Sequence, residues 1–316
     1  MKKNVLLLES VSDHADLLLN KHLNVLVAET PTSGIPLAEA NPVHAIVTRG
    51  KGDVSEALIA ACPKLEVISR CGVGLDNVNV DAATRKGIKV VNAPGINADT
   101  VAEHALTLML ALQRQLFSTV HAVKANNWDI RKTYDGDEIR GKTLGILGLG
   151  NIGKKVARLA SAFGMSVVYW DAHKQEGVDY HFLPLEELLY QSDIMSLHLP
   201  LVPGTHQLID EKAFGRMRPN AILINTSRGE VIDQQALIKA LDRKLIAGFG
   251  ADVLAVEPPA TDDPLLQMDN VLITPHSASL TARTYNEMCV LTVQNTIDLL
   301  DGKAINQKYI FNHKEL

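Results

Sequence analysis

Short apolar runs alternate with longer amphipathic stretches through the first hundred positions of the chain. Residues 5–8, 25–27, 45–47, 67–69 and 89–91 read as strands, rich in Val, Ile and Leu and bounded by polar residues. Residues 55–61 and 80–86 read as helices between them. Strands that alternate with helices imply a mostly parallel sheet with both faces covered. After the turn signal Pro94-Gly95, a single long helix is predicted over 98–125, capped by Asp99 or Thr100 and ended by Asn126-Asn127. Val101, Ala105, Leu108, Leu112 and Leu116 fall at helical spacing, and Leu106, Met109 and Leu110 widen the apolar surface. Such a helix is expected to be buried on several sides, as a bridge between domains and a dimer surface.

From residue 143 the alternation resumes, with strands predicted at 143–147, 167–170, 194–197, 221–225, 247–251 and 271–274, and helices such as 185–191 and 234–242. A last helix, 281–300, stops at Asp301-Gly302, and residues 309–312 loosely echo Val90-Val91-Asn92. The chain is therefore expected to return to its first domain to finish. The expected fold class is α/β with two doubly wound parallel-sheet domains. One spans 98–284; the other is formed by 1–97 together with 285–316.

The strand at 143–147 runs into G-x-G-x-x-G at Gly148, Gly150 and Gly153, then a helical segment, then the run 166–170 closed by Asp171. Gly148 allows a tight turn, Gly150 lets the backbone approach a pyrophosphate, and Gly153 lets the helix pack close to the strand. The helix N-terminus adds free N–H groups and a positive dipole end for the phosphates. Asp171, 18 residues after Gly153, stands where an acid meets the adenosine ribose hydroxyls and would repel a 2′-phosphate, which favours NAD over NADP. Just upstream, Gly136 to Thr143 satisfies the phosphate-loop pattern G-x-x-x-x-G-K-T. Its context excludes that reading, because a polar segment precedes it and an apolar strand, not a helix, follows.

Composition narrows the function classes. A length of 316 residues suits two domains, and 46% hydrophobic with 21% charged residues is ordinary for a globular protein. A net charge of −5 offers no basic footprint for nucleic acid. Three scattered cysteines (Cys62, Cys71, Cys289) without a C-x-x-C point to a reducing compartment, so a cytoplasmic location is expected. The apolar run after Lys2 and Lys3 ends at Glu9, too soon for a signal peptide, and no run approaches the ~20 residues of a membrane span. The eleven histidines show no metal-ligand spacing.

In a doubly wound sheet, ligands gather beyond the carboxyl ends of the strands. Three of the later strands lead into reactive residues: Thr226, Ser227 and Arg228; Asp252 and Glu257 before Pro258; and His276 after Pro275. The set suits hydride transfer between a nicotinamide and a 2-hydroxy or 2-oxo acid. His276 is the natural proton carrier, a carboxylate such as Glu257 would orient its ring, and Arg228 can bind a carboxylate with two parallel hydrogen bonds.

The chain resembles the D-isomer-specific 2-hydroxyacid dehydrogenases over nearly its whole length. The resemblance rests on Ser-Arg-Cys-Gly-Val-Gly-Leu-Asp-Asn-Val at 69–78, Val-Asn-Ala-Pro at 91–94, Thr-Val-Ala-Glu at 100–103 and the glycine fingerprint. It continues through His-Leu-Pro at 198–200, Asn-Thr-Ser-Arg-Gly at 225–229, Ala-Asp-Val at 251–253, Glu-Pro-Pro at 257–259 and Thr-Pro-His-Ser at 274–277. It implies that Arg228, Glu257 and His276 are catalytic, and that Gly148, Gly150, Asn151, Ile152, Gly153, Asp171, Leu199, Thr226, Ser227, Asp252 and Val73 line the NAD site. The Cys71, Gly72, Val73 and Gly74 loop would hold the substrate carboxylate through backbone N–H groups. A flavodoxin-like substrate domain, a homodimer or a tetramer, and no metal are implied as well.

Within the family the pattern is most similar to the phosphoglycerate dehydrogenase branch. Arg49 matches the place where that branch meets the substrate phosphate, and Arg70 precedes the carboxylate loop. No C-terminal regulatory domain is expected. Thr100, His104 and Ala278 depart from the usual Ser, apolar residue and Gly, which leaves hydroxypyruvate, glyoxylate and sulfolactate open as substrates. A reading from another class is an NAD-responsive corepressor-like scaffold; retention of Arg228, Glu257 and His276 argues for an enzyme.

Overall fold

The computed structural model describes residues 2–316. The chain divides into two compact units, one made of residues up to Asn97 with Leu280–Leu316, the other of Ala98–Ser279. The second break lies ahead of the C-terminal helix Ala282–Leu300, whereas the boundary expected at 285 falls inside it. Thr281 caps that helix by accepting a hydrogen bond from the Thr284 N–H at 3.3 Å, so the helix enters the first unit whole.

In the first unit, strands β1 (Asn4–Leu7), β2 (Asn24–Val27), β3 (Val43–Thr48), β4 (Val67–Arg70) and β5 (Lys89–Val91) form one parallel sheet in the order β2-β1-β3-β4-β5. This is the flavodoxin-like order. Side chains alternate across the sheet, and both faces are buried. Leu6, Ile46, Ile68 and Val90 pack beneath helices α2 (Gly34–Ala40), α3 (Glu56–Ala60) and α4 (Val80–Arg85). Val5, Val47, Val67 and Val91 meet α1 (Asp13–His22) and the C-terminal helix on the other side. Two-sided burial is why the strands read as continuous apolar runs. Helices α1 and α2 carry weak sequence signals: α1 buries only Ala15 and Leu19, and leaves Leu17 exposed.

The end of the chain joins this sheet. Ile310 bridges Val91 in antiparallel sense, and the Phe311 N–H donates to the Val90 carbonyl at 2.8 Å. Buried Asn312 accepts from the Val90 N–H and donates to the Ile88 carbonyl and the Thr84 hydroxyl, each at 2.9 Å.

The second unit holds β6 (Thr143–Leu147), β7 (Ser166–Trp170), β8 (His181–Phe182), β9 (Ile194–Leu197), β10 (Ile222–Asn225), β11 (Gly248–Ala251) and β12 (Val271–Ile273). They form one parallel sheet in the order β12-β11-β10-β9-β6-β7-β8. The strand order reverses between β6 and β9, which places the ligand crevice of a Rossmann fold at the end of β6. The helix expected over 98–125 is two helices, α5 (Ala98–Gln113) and α6 (Leu116–Lys124). Gln115 between them takes a left-handed conformation (φ 46°), and its side chain donates to Asp135 at 2.5 Å. No glycine or proline announced the break. Helix α5 is deeply buried as expected, but α6 buries no residue; its Leu116, Phe117, Val120 and Val123 are 43% to 63% exposed. Helices α7 (Asn151–Ala162), α8 (Leu185–Gln191), α9 (Glu211–Phe214) and α10 (Gln234–Asp242) complete the unit. Among the described residues no helix is long and apolar enough to cross a membrane.

Replacing Asn312 with Ala removes three hydrogen bonds and leaves the buried Val90 N–H unsatisfied. A loss of about 2–3 kcal/mol is expected, read as a lower denaturation midpoint at unchanged slope.

Candidate active site

The three fingerprint glycines meet three different constraints. Gly148, at the end of β6, has φ +94°, and a Cβ there would lie 2.6 Å from the His198 carbonyl oxygen. A Cβ on Gly153 would collide with the Gly148 carbonyl, so this glycine sets how closely α7 approaches β6. Around Gly150 the space a Cβ would enter is open. Open space at the N-cap of a twelve-residue helix is what a pyrophosphate requires. Asn151 and Ile152 form the first turn of α7. Asp171 follows β7, and its carboxylate accepts from the Leu149 and Ala172 N–H groups at 3.0 and 2.8 Å, which ties it to the glycine loop. The buried Thr226 hydroxyl, just past β10, has no protein partner, an open position that a bound ligand can fill. These residues fit a dinucleotide. The phosphate-loop match leads directly into β6, with Lys142 paired to Asp137 at 2.7 Å and no helix to receive a phosphate.

Parallel register brings the reactive residues to the same edge. Asn225 pairs with Ala251, and Ala251 with Ile273, so Arg228, Asp252 and His276 all lie within three residues of adjacent strand ends. Asn225 organises the first loop: its side chain donates to the Arg228 carbonyl at 2.8 Å and accepts from the Ser227 N–H and hydroxyl. A Cβ on Gly229 would collide with the Leu254 and Ala255 backbone, so this loop is seated against the next one. That second loop carries Glu257. One Glu257 oxygen accepts from the Leu254 N–H at 3.0 Å, and the other lies 2.8 Å from His276 Nδ1. The pairing fixes the ring with Nδ1 toward the carboxylate and leaves Nε2 for a substrate. His276 is half exposed and has φ 54°, a left-handed conformation that costs roughly 1–2 kcal/mol without a glycine.

Asp252 is buried, and its carboxylate accepts from the Thr274 hydroxyl at 2.5 Å and from the Ser277 and Ala278 N–H groups at 2.8 Å each. Both oxygens therefore hold the His276 loop. His198 is the residue sequence reasoning passed over. Its ring lies buried behind the glycine loop, where desolvation pushes its pKa down to about 3 and keeps it neutral. Nε2 meets the Ser196 hydroxyl at 2.9 Å, and Nδ1 has no protein partner. Leu199 beside it approaches the Gly148 turn.

In the first unit, Arg49 follows β3 and Arg70 ends β4. Glu9 builds the Arg49 loop by accepting, through one oxygen, from the N–H groups of Arg49, Lys51 and Gly52 at 2.7–3.0 Å. Burial alone would raise its pKa, but these bonds and the Thr48 hydroxyl outweigh it and hold the carboxyl below its usual range. The Arg49 guanidinium stacks 4.7 Å over the Tyr285 ring. The Arg70 side chain occupies the space of a Gly72 Cβ and reaches toward Gly50, so both arginines stand at one end of this sheet. In the loop after β4, the Cys71 N–H is engaged by the Thr48 carbonyl (2.9 Å) and the Gly72 N–H by the Arg70 carbonyl (2.8 Å). Only Val73 and Gly74 keep N–H groups open for a carboxylate among the residues proposed for that task. The Cys71 thiol faces away into the core, hydrogen-bonded to Cys289, and that bond together with burial raises its pKa.

A doubly wound unit with this glycine turn and a histidine–carboxylate pair at its strand ends defines an NAD-dependent dehydrogenase. Residues 106–278 match the model of the D-isomer specific 2-hydroxyacid dehydrogenase NAD binding domain. The chain is 38% identical over 293 residues to a glyoxylate reductase of Korarchaeum cryptofilum, covering 89% of this chain and 88% of that protein. It is also 38% identical over 284 residues to a D-3-phosphoglycerate dehydrogenase of Mycobacterium tuberculosis, but spans only 53% of that longer protein against 88% of its own length. Its fold is similar to that of a D-lactate dehydrogenase from Aquifex aeolicus complexed with NAD and lactic acid, with a TM-score of 0.86, 30% identity, and 95% and 96% of the two chains covered. The chain belongs to the D-isomer-specific 2-hydroxyacid dehydrogenase family and is an NAD-dependent enzyme.

Gly153→Ala places a methyl group against the Gly148 carbonyl and must push α7 off the turn. NADH binding, followed by nucleotide fluorescence, is expected to weaken at least tenfold, a change of about 1.4 kcal/mol or more.

Proposed function

We propose that the protein interconverts a D-2-hydroxy acid and its 2-oxo acid, with 3-phosphoglycerate and 3-phosphohydroxypyruvate as the pair it serves. The observation that carries the reaction is the 2.8 Å His276–Glu257 contact on the same sheet edge as Arg228 and the glycine turn. Bound NAD(H) supplies or accepts the hydride. In reduction, His276 delivers the Nε2 proton to the carbonyl oxygen while Glu257 holds the opposite ring nitrogen and stabilises the imidazolium. Arg228 binds the substrate carboxylate and polarises the carbonyl, as a planar donor fork can. In the first unit, the open Val73 and Gly74 N–H groups are donors suited to a carboxylate.

The phosphorylated substrate is supported by Arg49 and Arg70 at one end of the first sheet, where two cations suit a second anionic group. A specific observation favours glyoxylate or hydroxypyruvate instead: the Arg49 guanidinium is already occupied by the Tyr285 ring and lies 3.5 Å from the Ser10 carbonyl. The apolar face of α6 supports a homodimer, because exposed Leu116, Phe117, Val120 and Val123 make a contiguous patch suited to a second copy. Three free thiols fit a reducing, cytoplasmic setting.

A panel of 3-phosphohydroxypyruvate, hydroxypyruvate, glyoxylate and sulfopyruvate with NADH tests the substrate. The phosphorylated acid is expected to give the highest kcat/KM and to lose at least tenfold in Arg49→Ala; a preference for glyoxylate, unchanged in that variant, selects the second reading. His276→Ala and Arg228→Ala are each expected to lower kcat by about 10²–10⁴ with NADH binding retained. Phe117→Asp with Val120→Asp is expected to shift sedimentation from dimer to monomer.

A further inference from the structure

His104 is an unusual residue for its place, on a helix face otherwise apolar. On α5 it shares a face with Leu108 and Leu112, four and eight residues on. Those leucines pack over the bare backbone of β11, where a Cβ on Gly250 would lie 3.0 Å from Leu112 Cδ1 and 3.2 Å from Leu108 Cβ. The same face carries His104 to the carboxyl end of the strand, beside Asp252. Its side chain is 22% exposed, with Nε2 at 2.9 Å from the Thr274 hydroxyl and 3.7 Å from Asp252 Oδ1.

Proton inventory sets the direction of these bonds. The Thr274 hydroxyl has one proton and two acceptors beside His104, the Ala251 carbonyl at 3.3 Å and Asp252 Oδ1 at 2.5 Å, and the much shorter contact to the carboxylate takes it. The hydroxyl oxygen can then only accept from His104, which requires the Nε2–H form of the ring. Asp252 passes the constraint on. Its carboxylate takes the Ser277 and Ala278 N–H groups, and its carbonyl takes the His276 N–H at 2.9 Å. A directed chain therefore runs from His104 through Thr274 and Asp252 to the residues on both sides of His276, which is held in a left-handed conformation.

We propose that His104 is a positioning residue for proton transfer. By donating to Thr274 it fixes the hydroxyl that fixes Asp252, and so sets the backbone from which the His276 ring is presented. The proposal rests on His276 as the proton carrier. Its role is separate from packing, because Leu108 and Leu112 already seat the helix.

The test compares His104→Leu, which keeps bulk but no donor, with His104→Gln, whose amide nitrogen reaches the Nε2 position. With the best 2-oxo acid and NADH, His104→Leu is expected to lose at least tenfold in kcat, with KM and the NADH dissociation constant within about twofold. Its solvent deuterium isotope effect on kcat is expected to rise. His104→Gln is expected to recover kcat to within about threefold of wild type, and nitrogen-15 spectra of the wild-type imidazoles should show His104 as the Nε2–H tautomer. Wild-type kcat in His104→Leu, equal loss in both variants, or an Nδ1–H tautomer overturns the proposal. Full turnover in His276→Ala is a different result: it removes the proton carrier itself and leaves the His104 tautomer as read.

Discussion

Every strand pair within the two sheets is parallel, and that one constraint places the chemistry of this protein. Parallel pairing sends all the carboxyl ends of a sheet to a single edge. Loops separated by tens of residues become neighbours there: the turn after β6, the acid after β7, and the reactive residues after β10, β11 and β12. Parallel pairing also demands a crossover for each strand, so both faces are covered and the core strands are largely apolar, with polar residues such as Ser69 and Ser196 buried among them. Arg228, Glu257 and His276 all lie in the loops at the strand ends.

Loops placed by a sheet still need to be held. In the second unit this is done by buried acceptors that collect backbone N–H groups. The Asn225 side chain organises the Arg228 loop, and the Asp252 carboxylate gathers three donors from the His276 loop. Glu9 does the same for the Arg49 loop in the first unit. Each such acceptor is desolvated, and each is matched by enough donors to make burial tolerable. The result is rigidity at points where the backbone itself is strained, as at His276. Glu257 differs, since it spends one oxygen on the Leu254 N–H and leaves the other for the His276 imidazole.

Much of this was legible in the chain because it depends on local chemistry. Strand positions followed from apolar runs, and the central strands were placed to within a residue or two. The glycine turn was legible because each glycine answers a backbone requirement that no other residue meets. His276, Glu257 and Arg228 could be singled out because they follow predicted strands. Helix α1 was not legible, since only Ala15 and Leu19 are buried while Leu17 is exposed, so its three consecutive leucines mark no single face. The break at Gln115 carried no signal at all: a glutamine in a left-handed conformation is stabilised by its contact with Asp135, twenty residues away.

By itself the sequence determined the alternation of strands and helices, the dinucleotide turn and the position of His276, Glu257 and Arg228 after strand ends. All of these arise from periodicity, glycine conformational freedom and side-chain pKa, which are properties of a few neighbouring residues. Only the tertiary structure decided which N–H groups stay open in the loop after β4, that Asp252 gathers donors from the His276 loop, and that His104 points at Thr274. Most of the contacts behind these, such as Cys71 with Thr48, Ser277 with Asp252 and His104 with Thr274, join donor and acceptor across more than twenty residues of chain. Hydrogen bonds are directional and exclusive, so a residue's role changes once its partner is chosen, and the partner is chosen by the fold.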